Sequence, residues 1–508
     1  SGHNRYIHSS PPRRSSDLKP YIYFTPENDD QFEAILELTR AIHGEGAVAL
    51  SRSLDAGLPG MCREDWYGLA APEDWPDGRP APTRVISTLC RIPTFWTCAD
   101  AGTEVSLPSA ELGMVASAED ARGRGLSSWL MKRFQDDSIK AGFSLSTIQG
   151  IPYFYRRFGY EYAVPLIPKI ILPPVQSLMQ AGAFSGTGAG IKAAYTAGST
   201  ASSTAVRKAE ISDIPMMSER FKELSLGLGV KADRSPDHWV YLLGKAQSSF
   251  ETAVDRRILL DGLGKPVGWI GFQRECFGPT LAIAEASLPD PGSGWSAGAM
   301  LSLAEYIRAE EGLPHITVLL PRSHPVAVAA AGLGGQVCRE YAWQVAILDR
   351  PAFFGLLRPV IESRLRKSGW QDRARCLDLD LYTGGLRFDW DGKGLEITQL
   401  PDHASSEGME QAPGAESKGA ETQVDHQARQ PNGHSGGQAV VHREDGIDTM
   451  PEMPVSSFPP ELLGPLMLGY RSWQELGHCR RDVMIRPEDR SFMDAMFPVM
   501  DSFIYPLF

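Results

Sequence analysis

Hydrophobic positions change period repeatedly along this chain, and the changes predict its elements. Over residues 19–173, short apolar or alternating runs read as strands: "YIYFTP", "TRVISTLCRIP", "AELGMVASA" and "FSLSTI". Between them "DDQFEAILELTRAIHG" has helical spacing and stops at Gly44. The run "RGLSSWLMKRFQDDSIKAG" places Leu126, Trp129, Leu130 and Phe134 on one helical face before Gly142. Alternating strands and helices predict an α/β unit with a mixed sheet. The same order recurs with different residues over 206–349. A strand-like "LAIAEASL" leads through "PDPGSGWS" into the helix "AGAMLSLAEYIRAEEG", then "HITVLLP", an Ala-rich helical turn and "GLGGQV". This recurrence predicts an internal duplication.

A third unit, 350–508, opens on "RPAFFGLLRPVIESRLRKSG", an amphipathic helix with a basic polar face. Residues 174–205 are rich in Gly, Ser, Thr and Ala and predict a long linker. Residues 401–454 hold almost no aromatic or β-branched side chains and predict a low-complexity, disordered insertion. It interrupts a domain, because strand-like "LEITQL" precedes it and the helical pattern "FPPELLGPLMLGYRSWQEL" follows. Loop closure grows costlier only slowly with length, so a host tolerates such a tract. The expected fold is α/β (α+β) in three units.

A length of 508 residues agrees with several cores rather than one. With 50 basic against 62 acidic side chains the formal charge is −12, which disfavours nucleic acid or an anionic membrane and suits a cationic substrate. The seven cysteines stand singly, without zinc spacing, and no metal is expected. No apolar run reaches membrane-spanning length and the first twenty residues lack the apolar core of a signal peptide, so the expected location is cytoplasmic.

Chemistry enters at "ELGMVASAEDARGRGLSSWLMKRF". A strand feeds a loop holding Arg122, Gly123, Arg124 and Gly125, which opens into a helix starting at Leu126 and Ser127. Free amides at a helix N-terminus attract an anion such as a pyrophosphate, and glycines let the backbone approach it. One strand later comes "GIPYFYRRFGYEY". Together the two stretches resemble the GNAT superfamily of acetyl-coenzyme A-dependent N-acyltransferases. The spelling "YRRFGY" is closer still to its Eis (enhanced intracellular survival) type, which has two GNAT-like domains followed by a sterol-carrier-like domain. The resemblance covers most of the chain.

The resemblance implies direct transfer of an acetyl group from acetyl-CoA to a primary amine of a small molecule, polyamine or lysine. It makes Tyr155 the general acid and puts Arg157 against coenzyme A. The backbone of Val115, Ala116 and Ser117 would bond the pantetheine arm like an added strand. Two positions depart from the family's pattern: Ser117 replaces a Val, and Ser127 replaces a Gly or Ala. In the second copy Pro291 stands where the first has Arg122, and Ala330 and Gly332 stand where it has Tyr155 and Arg157. That copy is expected to keep the fold without binding coenzyme A. The chain ends on the apolar "FIYPLF", and the family's terminal carboxylate, carried on a Phe, makes Phe508 the candidate general base. The family's acidic residue before that Phe is Leu507 here. Trp66, in the loop-like "EDWYG", is a candidate acceptor contact. Bacterial relatives form hexamers, so a homo-oligomer is an expectation too. The competing reading is a non-catalytic lipid carrier or scaffold with vestigial acyltransferase domains.

Overall fold

A computed structural model describes residues 21–166, 168–172, 205–275, 278–401 and 455–508. The stretch 1–20, all but the last residue of the expected linker and all but the first residue of the expected insertion lie outside these. The chain is a mixed α/β molecule built on three sheets.

The first stretch of chain supplies strands β1 (Ile22–Phe24), β2 (Trp66–Ala70), β3 (Ser87–Asp100), β4 (Thr103–Ser117), β5 (Leu145–Ile148), β6 (Glu161–Leu166) and β7 (Ile170–Ile171). Helices α1 (Asp29–His43), α2 (Glu45–Asp55) and α3 (Leu126–Lys140) connect them. Asn28 caps α1 and Gly44 ends it at φ 85°, a backbone state that glycine adopts without steric cost. The second stretch supplies β8 (Ala205–Lys208), β9 (Val230–Ala232), β10 (Asp255–Leu260), β11 (Pro266–Glu275), β12 (Pro279–Ala286), β13 (Ile316–Val318), β14 (Gln336–Val337) and β15 (Tyr341–Ile347).

The sheets do not follow the boundaries expected at 173 and 349. The first sheet runs β1-β2-β3-β4-β5-β15-β6, with β9 added on β3. The second runs β14-β7-β13-β12-β11-β10-β8. Each sheet thus takes a strand from the other stretch at the same place: β15 enters between β5 and β6, and β7 enters between β13 and β14. Neither β7 nor β15 stands among the strands that hydrophobic periodicity marked, and periodicity carries no information about partners, which is why the expected boundaries miss the exchange.

The third sheet orders β18 (Leu395–Leu400), β17 (Gly385–Trp390), β16 (Arg375–Asp380) and β19 (Ser456–Ser457) beside the helix Arg350–Lys367. The strands flanking the expected insertion, β18 and β19, belong to this one sheet. The helical pattern after it is broken in two. Helix Leu463–Met467 ends before Gly469 (φ 66°), where a Cβ would lie 2.7 Å from Met500 Cγ, and Ser472 caps a new helix, Trp473–Cys479. Between sheet and helices this unit holds edge-to-face aromatics, with Phe388 5.8 Å from Phe497 and 6.0 Å from Phe354.

Candidate functional site

Strands β4 and β5 pair in parallel only at Ser109↔Leu145, Ala110↔Ser146 and Glu111↔Thr147. Strand β4 then continues to Ser117 without β5. In its pairing with β3, Thr88 faces Ala116 and Cys90 faces Gly113, so Met114 and Val115 together oppose Leu89. This is a β-bulge, with Met114 at φ 51°. The bulge bends β4 away from β5 and opens a wedge on which Val115, Ala116 and Ser117 lie. His43, at the end of α1, brings Nε2 to 3.0 Å from the Val115 carbonyl oxygen.

The wedge leads to the start of α3. Gly123 (φ 76°) and Gly125 (φ 81°) turn the loop, and a Cβ on either would meet nothing within 4 Å. Gly125 is the N-cap and offers no side-chain hydrogen bond, and no acidic residue stands in the first turn. The leading amides of α3 are therefore left without a capping side chain, and the helix dipole favours negative charge there. Arg122 and Arg124 are exposed beside them; Arg122 lies 3.6 Å from Glu119, and Arg124 donates to the Asp120 carbonyl (2.9 Å) and to Tyr21 (3.2 Å). The two positions that depart from the family's pattern compensate each other. Ser117 and Ser127 hydroxyls are 2.8 Å apart and tie the strand to the first turn of the helix. By contrast the helix Ala297–Glu310, which the order of elements in the sequence matched to α3, is capped by its own Ser296 side chain.

Tyr155 sits in a 3-10 turn, Phe154–Phe158, closed by Gly159 in the left-handed region. It is buried, its ring packed on Phe154 (4.9 Å) and Tyr160 (6.0 Å), and burial pushes its phenol up to about 12. A phenol that holds its proton at neutral pH is in the state a general acid needs. Its ring fills the space a Cβ on Gly150 would take. Arg157 is exposed on the same turn, its guanidinium 4.3 Å from the Phe154 ring. It lines a separate cleft of about 730 Å³ against the third unit, with Arg156, Arg350 and Arg480.

A second cavity, about 450 Å³, joins the first sheet, the second unit and the chain's last residues. Glu111, Gln149, Glu251, Glu275, Trp343 and Phe508 lie on its wall. Phe508 thus lines the same cavity as a carboxylic acid, Glu111, that the sequence did not point to. Glu111 is buried on β4, and burial pushes its pKa up to about 8, with a hydrogen bond from Gln149 acting the other way. Its signal in the sequence is one acid inside the apolar run "AELGMVASA". Tyr155 does not line this cavity, but Gly150, on which its ring lies, follows Gln149, which does. Trp66 needs correction: it is fully buried on β2 rather than in a loop, with its ring 5.0 Å from Phe32, and is a core residue rather than an acceptor contact.

Among the described residues no group of three or more potential ligands is disposed to hold a metal ion, and no helix is long and apolar enough to cross a membrane. Residues 84–163 match the family described as an acetyltransferase (GNAT) domain. No curated protein matches the chain by sequence. Solved structures resemble nearly all of it. A GCN5-related N-acetyltransferase from Kribbella flavida is 14% identical, with 96% of this chain and 98% of that one covered, at a TM-score of 0.55. A probable N-acyltransferase from Enterococcus faecalis is 13% identical, with 96% and 100% covered, at 0.57. Eis1 from Mycobacterium abscessus is 13% identical, with 96% and 100% covered, at 0.52. Residues 84–163 thus match the GNAT acetyltransferase domain family, and nearly the whole chain shares its fold with these solved structures.

Proposed function

We propose that this chain is an acetyl-CoA-dependent N-acetyltransferase acting directly on a primary amine. The observation that carries the reading is the acidity of the cavity: among the described residues, every acidic or basic side chain on its wall is a glutamate, the exposed Glu251 and Glu275 and the buried Glu111, whose carboxyl burial keeps largely protonated at neutral pH. Such a wall attracts an ammonium acceptor. The open amides of α3, the glycines ahead of it and the end of β4 that runs on past β5 fit coenzyme A, with Arg122, Gly123, Arg124, Gly125, Leu126 and Ser127 at the pyrophosphate. Val115, Ala116 and Ser117 would lie along the arm, where His43 now holds a carbonyl. The coenzyme supplies the thioester acyl group.

Tyr155 gives its proton to the departing thiolate. The α-carboxylate of Phe508 takes a proton from the acceptor ammonium, directly or through water, and the freed amine attacks the thioester carbonyl. A second reading gives the base role to Glu111, and one observation favours it: a carboxyl raised to about 8 is better matched to an amine than an ordinary one. Arg157 is proposed as a coenzyme contact on the resemblance alone.

The test couples binding to turnover. Coenzyme A at millimolar concentration is expected to raise the melting temperature. Tyr155→Phe is expected to lower kcat about 100-fold, measured as thiol release over a panel of amines, while leaving that thermal shift intact. Absence of a shift favours the carrier reading, and an unchanged kcat removes Tyr155 from the acid role.

A further inference from the structure

The last residues of the chain are held in the cavity by the second unit. Phe503 N–H donates to the Val230 carbonyl at 2.9 Å, and Val230 N–H donates to Ser502 Oγ at 3.0 Å, so the tail runs along β9. Strand β9 is itself paired to β3 of the first sheet. Just beyond β9, the Arg234 guanidinium donates Nη2–H to the Pro506 carbonyl. On the next helix, His238 Nε2 lies 2.6 Å from the Leu507 carbonyl. A carbonyl only accepts, so His238 carries its hydrogen on Nε2. Consecutive peptide carbonyls are thus gripped immediately before Phe508.

The grip is built into the second unit's core. Arg234 is fully buried and bonds Glu285 at 2.8 Å, and Glu285 also takes Arg256 at 2.7 Å and Trp269 Nε1 at 3.0 Å. Burial pushes the Glu285 carboxyl up, but the two guanidiniums outweigh it and hold it well below the usual range. Burial pushes His238 down to about 4, so it is a neutral donor at working pH. An unanchored terminus frays, and two donors on successive carbonyls remove that freedom.

We infer that Arg234 and His238 are positioning residues: they fix the Pro506 and Leu507 carbonyls and so place Phe508 in the cavity it shares with Glu111. The second unit then contributes to catalysis as the holder of the tail. The catalytic meaning of this inference rests on the proposed base role of Phe508; the holding itself does not.

Hydrogen exchange of the peptide spanning residues 501–508 and steady-state kinetics are measured in the full chain for His238→Phe, His238→Gln and Arg234→Lys, and for a variant lacking Phe508. His238→Phe is expected to speed exchange about tenfold or more and to lower kcat about 10- to 100-fold, with KM for acetyl-CoA within about twofold. His238→Gln keeps an N–H donor and is expected to recover most of both. Exchange unchanged in His238→Phe and Arg234→Lys overturns the inference whatever the kinetics, and so does faster exchange with full kcat while the variant lacking Phe508 is inactive. Full kcat in the variant lacking Phe508 strikes the base role instead, and the exchange data then still decide whether the two residues hold the tail.

Discussion

Glu111 shows how burial of one side chain sets chemistry. Its carboxyl moves from an ordinary 4.5 to about 8 because burial disfavours the charged form. Between those values the unfolded chain has released a proton that the folded chain retains, so this residue's contribution to stability falls as pH rises. Below 4.5 both states are protonated and that contribution is fully present. Glu111→Gln removes the dependence, and its melting temperature is expected to gain on that of the parent chain from about pH 4.5 to about pH 8, measured by thermal scans. If Glu111 is the base, the parent's kcat/KM profile also loses a limb near pH 8 on this substitution. A limb that survives in Glu111→Gln belongs to the acceptor amine and leaves Phe508 as the base. The residue was visible in the sequence only as a misplaced acid in an apolar strand, because its partner Gln149 and the cavity it shares with Phe508 are brought to it by folding.

At the scale of elements, the wedge depends on where β4 and β5 stop pairing. The sequence marks both strands and the glycine loop before α3, because apolar runs and turn residues are local signals. The bulge at Met114 and Val115 is a matter of register with β3, and the last run of pairing residues does not announce it. The turn bearing Tyr155 is equally a product of contact. A Cβ on Gly150 would lie 2.4 Å from Cδ2 and Cε2 of the Tyr155 ring, which Phe154 and Tyr160 hold from its other sides. Gly150→Ala is therefore expected to displace the phenol and lower kcat about tenfold or more, with KM for acetyl-CoA within about twofold. Steady-state assays check this, and an unchanged kcat shows that the ring is free to yield.

The whole molecule is bound together by the strand exchange and the tail. A fragment of residues 1–173 lacks β15, which leaves β5 and β6 without the partner between them and exposes strand edges. It is expected to be insoluble or to unfold without cooperativity by circular dichroism, whereas residues 1–349 restore the first sheet and melt cooperatively. A soluble, cooperative 1–173 fragment contradicts this. Edge-to-face aromatics fill the interior of the third unit, where Phe388 packs against Phe354 and Phe497. The sequence by itself determined α1, α3, the strands β4 and β5 and the glycine loop between β4 and α3, because periodicity, glycine turns and helix starts are encoded over a few residues. Only the tertiary structure decided which strands change sheets, that Trp66 is core, that Glu111 is buried in an acidic cavity and that "FIYPLF" ends there. Those depend on contacts between residues hundreds of positions apart, and such pairings leave no local trace.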